Sequence, residues 1–84
     1  MPKGALRLPR RVTLPFDYRI TVKQVPPSDV MLEGADGIWD AELRTIFINN
    51  ALSIRRKRYI VAHELIHALN DLMHHVLDGG AAKP

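Results

Sequence analysis

His63-Glu64-Leu65-Ile66-His67 sets two imidazoles four residues apart, with a carboxylate next to the first. On a helix, positions i and i+4 lie one above the other on the same face. Two rings so placed converge on one divalent ion, with Zn–N near about 2.0–2.1 Å. Glu64 is turned about 100° around the axis from His63. It therefore stands outside the coordination sphere but within reach of a water bound there. The ion lowers the pKa of that water and polarises a carbonyl, while the carboxylate takes the proton and passes it to the leaving amine. Residues of these types at this spacing point to metal-assisted hydrolysis.

A catalytic zinc normally keeps three protein ligands and one position for water. Beyond His67 the available donors are Asp71, His74, His75 and Asp78. On an unbroken helix Asp71 lies about 12 Å along the axis from His63, too far to share the ion. It then acts by orienting the ring of His67. A break at Asn70-Asp71 changes this, since Asn tolerates a left-handed C-cap and Asp is a good N-cap. The chain then folds back, and His74 is the first candidate for third ligand, followed by Asp71 and His75. Glu33, Asp36 and Asp40 are further candidates upstream.

The histidine pair needs a rigid helix beneath it. Ser53 is a suitable N-cap, and a helix is expected from about Ile54 to about Leu77, where Gly79-Gly80 stops it. Val61, Ala62, Leu65, Ile66, Leu69, Leu72, Met73, Val76 and Leu77 fall on one side of this helix and are expected to face the core. The motif histidines, Glu64, Asn70, Asp71, His74 and Asp78 fall on the other. Before the helix, "YRITVKQV" (18–25) alternates as a half-buried strand, ended by Pro26-Pro27. Residues 28–36 connect it to a hairpin over 37–49 with a polar turn at Asp40–Leu43. Ile46 and Ile48 point one way, Thr45 and Phe47 the other. Trp39 and Phe47 are expected in the core, and Tyr59 is expected to pack near the helix start. The fold expected is α+β: a small antiparallel sheet, from strand 18–25 and hairpin 37–49, packed on the C-terminal helix. Residues 1–17, basic and interrupted by Pro2, Pro9 and Pro15, read as an extended or poorly ordered arm. Residues 18–84 read as a single domain.

Composition bounds the rest. At 84 residues, the hydrophobic fraction of 46% and charged fraction of 25% are those of a globular chain and exclude wholesale disorder. There is no cysteine, hence no disulfide and no Cys-based zinc knot. A core this small gains from a bound metal or a partner chain. Net charge is +3, with cations clustered in the first quarter and at Arg55, Arg56, Lys57 and Arg58. These are expected to be solvated surface, with weak nucleic-acid contact through the second block and the N-terminal arm. No apolar run approaches the roughly 18 residues of a membrane span. No secretory signal is legible, so a cytoplasmic location is expected.

The succession "RTIFINN", then "ALSIRRKRYIVAHELIHAL", resembles the small zincin-type metallopeptidases. More narrowly, it is similar to compact phage- and bacteria-associated domains related to the ImmA/IrrE peptidases, over about residues 37–69. The resemblance implies a zinc peptidase in which His63 and His67 bind metal and Glu64 is the base, acting in the bacterial or host cytoplasm. It also implies that a peptide substrate lies as an added strand along Arg44–Asn49 or a neighbour of it. The sequence departs from the family pattern after the motif. No Glu follows His67, Asn70 stands where HExxHxxGxxH has Gly, and Met73 takes the place of the final His. Peptide hydrolysis is thus the first functional expectation. The alternative is a non-catalytic zinc-binding module, nucleic-acid- or virion-associated through its basic segments.

Overall fold

The structure is a computed structural model, described for residues 7–79. Among these residues the chain forms four strands and one long helix: β1 (Arg11–Leu14), β2 (Tyr18–Val25), β3 (Gly37–Asp40), β4 (Thr45–Asn49) and α1 (Ile54–His74). The strands make one sheet in the order β1-β2-β4-β3. The α+β class expected from the sequence holds, with α1 packed on one face of the sheet.

The sheet is mixed rather than antiparallel. β1–β2 and β3–β4 are antiparallel pairs, but β2 and β4 run parallel, with Val22 opposite Ile46 and Gln24 opposite Ile48. The cause is the connection over 26–36. It passes through a short turn at Val30–Leu32, capped by Asp29, and carries the chain beyond β2's neighbour to the outer edge. The hairpin then returns β4 into the vacant central place. The composition of β4 suits that place, because Thr45, Ile46, Phe47 and Ile48 are all buried. A strand covered on both faces reads as a continuous apolar run. Ile46 and Ile48 enter the main core with Ile20, Val22 and the helix. Phe47 enters a second cluster on the opposite face with Val25 and Leu32.

The stretch read as a basic arm is in part a strand. Val12 and Leu14 are half-buried and alternate with exposed Arg11 and Thr13, and β1 pairs with β2 from Arg11↔Thr21 to Leu14↔Tyr18. The prolines flank this short period-2 pattern and masked it. Residues 1–6 lie outside the described residues.

The helix begins as expected, with the Ser53 hydroxyl accepting from the Arg56 N–H at 3.2 Å. Ile60, Val61, Ala68 and Leu72 are buried against the sheet. The fit with β3 is close. A Cβ on Gly37 would overlap Ile60 Cγ2 and meet Ile48 Cδ1 at 3.2 Å, so this strand start requires glycine. The helix runs through Asn70-Asp71 without the alternative break, to His74 and into one wider π-type turn, His75–Gly79, as its period predicts. Leu72, 2% exposed, pins the segment that a break would release. Further, much of the apolar side expected in the core stays open. Ala62, Ile66, Leu69, Met73 and Leu77 are exposed, because the small sheet covers only the arc around Val61, Ala68 and Leu72. Among the described residues, no helix is long and apolar enough to cross a membrane.

Candidate metal centre

The third and fourth turns of α1 carry the motif. The rings of His63 and His67 lie 5.1 Å apart between centroids, at 75° to each other. Two imidazoles on one tetrahedral zinc, each about 2.0–2.1 Å away through nitrogen, place their centroids roughly 5 Å apart. The pair as folded has that separation, and both rings are exposed to an incoming ion. His63 is backed one turn upstream by Tyr59, stacked at 6.3 Å and 23°, whose ring in turn lies under the Arg56 guanidinium at 5.3 Å. Tyr59 is thus largely exposed and packs on a candidate ligand rather than in the core.

Glu64 lies on the sheet side of the helix and is half-buried. With His67, Asn70, Asp71, Ile38 and Trp39 it lines a cleft of about 300 Å³ between α1 and β3. Trp39 and Asp71 close one side, the indole Nε1–H donating to Asp71 Oδ2. Trp39 therefore belongs half to the core and half to the cleft, while Phe47 is fully core as expected. No local signal in the sequence links Trp39 to Asp71, which stand 32 positions apart.

The pair acquires no third protein ligand within the described residues, where no group of three His, Asp or Glu side chains is arranged to hold an ion. The unbroken helix is the reason. His74 follows His67 by seven residues, about 10 Å along the axis, and the fold-back that would make it a ligand is absent. Asp71 sits about 6 Å beyond His67 and is engaged by Trp39, so it orients the cleft and does not complete the pair. His75 is exposed on the π-type turn, and the side chain of Asp78 is outside the described set. Upstream, Asp36 pairs with Arg56 at 3.4 Å, Asp40 accepts from the Leu43 N–H at 3.0 Å, and Glu33 is exposed after the short turn.

The cations divide between two places. Arg55, Arg56, Lys57 and Arg58 occupy consecutive positions at the helix start and so point around the axis, about 100° apart, instead of forming one patch. Arg7, Arg10, Arg11 and Lys23 gather along a groove of about 770 Å³ on the β1–β2 side. Comparison with protein-family models, with curated proteins and with solved structures finds no match for this chain.

Proposed function

We propose that this chain is a zinc-dependent peptidase in which His63 and His67 hold the metal and Glu64 is the general base. The observation that supports it most is the histidine pair at zinc-chelating separation beside a half-buried carboxylate in a cleft. When bound, zinc supplies a Lewis acid that acidifies water and polarises the scissile carbonyl. Glu64 takes one proton from the attacking water as the new C–O bond forms and returns it to the amide nitrogen as the C–N bond breaks. β3 supports substrate placement. It is the sheet edge beside the cleft, whereas β4 is enclosed by β2 and β3, so an extended peptide adds to β3 and not to β4. Trp39, fixed by Asp71, forms the wall against which that peptide rests.

The experiment compares cleavage of an unfolded protein by the zinc-loaded chain and by Glu64→Gln. A loss of about 10²–10⁴-fold in the variant is expected, the usual worth of a positioned base. Equal cleavage by both, or none by either, removes the peptidase reading. If zinc is retained without cleavage, and a chelator strongly lowers Tm while Glu64→Gln leaves it unchanged, the chain is instead a metal-stabilised module, because binding energy is then folding energy. The groove of Arg7, Arg10, Arg11 and Lys23 supports a second, compatible reading, phosphate contact without base readout. Such binding to duplex DNA falls steeply with added salt, and no detectable complex at low salt removes it.

A further inference from the structure

His63 and His67 make half of a metal site. They supply two donors with ring centroids 5.1 Å apart, and both rings are exposed. Zinc held by side chains alone takes four donors in a tetrahedron. The fold commits the nearer donors of this chain elsewhere. Asp71 accepts from the Trp39 indole, Asp36 pairs with Arg56, and Asp40 accepts from the Leu43 N–H. Glu64 lies on the sheet side of α1, half-buried in the cleft. His74 lies about 10 Å beyond His67 along the unbroken helix, and His75 farther still. The side on which the pair opens is clear of charge. Three residues on from each histidine stand Ile66 and Asn70, both exposed, and positions at that step are neighbours on a helix surface.

We propose that two copies of the chain bridge one zinc ion, with His63 and His67 of each copy filling its four positions. Symmetry is the reason that a second copy completes the set. A patch holding half of a tetrahedral donor set is self-complementary, since a two-fold axis through the ion generates the missing half. The bridge rests on the metal-binding part of the reading above and not on hydrolysis. It adds regulation to that reading. An ion closed by four side chains keeps no position for water, whereas a catalytic one does. The bridged dimer is therefore a latent form, and Glu64 has work to do only when the copies part. Ala62, Ile66, Leu69 and Met73 form an exposed outer row on α1 beside the pair. This row has no share in the bridge, so the chain without metal is monomeric.

Sedimentation velocity of the full chain tests it, in EDTA and with half an equivalent of zinc chloride. A monomer is expected in EDTA. Zinc is expected to double the mass, with one ion bound per two chains. X-ray absorption at the zinc edge then counts four imidazoles on the ion, at about 2.0–2.1 Å, where an unbridged pair gives two. His63→Ala and His67→Ala should each lose the doubling with unchanged far-UV circular dichroism, and His74→Ala combined with His75→Ala should keep it. One zinc per chain in a monomer overturns the bridge and leaves the metal half of the peptidase reading standing. No bound zinc at all overturns both. A dimer that forms in EDTA, or one lost only when His74 and His75 are replaced, overturns the bridge by placing the contact or the ion elsewhere.

Discussion

Leu72 and Leu69 are the same residue type, three positions apart on one helix, and meet opposite fates. Leu72 is 2% exposed under the sheet, and Leu69 is 43% exposed on the outer row. The two sides of α1 show that apolar character sets only the willingness to be buried. Whether burial happens depends on how far the opposing surface reaches, and a four-stranded sheet reaches across less than half of this helix. The histidine pair sits between the two sides, held by the buried one and left open by the other.

The contrast can be broken at several points. Leu72→Ala has the largest expected effect, about 2–5 kcal/mol by denaturant unfolding, because it opens a cavity in a packed core. A smaller loss would mean that α1 is held less by its sheet face than the burial implies. Gly37→Ala comes next, at about 1–3 kcal/mol, since the added methyl forces β3 away from Ile60. That displacement should also lower any peptidase rate by widening the Trp39 cleft, a combined loss that a surface substitution would not give. Trp39→Phe keeps the ring but removes the indole donor, leaving half-buried Asp71 without it at a cost of about 1–3 kcal/mol. Any zinc affinity of the His63–His67 pair should be nearly unchanged, because the indole N–H is bonded to Asp71 and to neither histidine, and dialysis against zinc measures it. Leu69→Ala, on the outer row, is expected to change the stability of a dilute sample by no more than about 0.5 kcal/mol. A cost near that of Leu72→Ala would show that the row is already covered.

Much of this was legible along the chain because it rests on local periodicity. The i, i+4 histidines, the Ser53 cap, the alternation of β2 and the hairpin all follow from residue spacing, and the structure places each as read. What misled was equally local, since three prolines hid the alternation of Val12 and Leu14. The continuous helix follows from its own period, and without the alternative break at Asn70-Asp71 the chain does not fold His74 back toward the pair.

The sequence by itself determined which side chains share a face, since the helical and strand repeats are built into the backbone. Only the tertiary structure decided which of those faces is covered, that β4 and not β3 takes the middle of the sheet, and that Trp39 meets Asp71 across the cleft. Those are matters of long-range placement, set by where the 26–36 connection delivers the chain. No repeat within a single element carries that information.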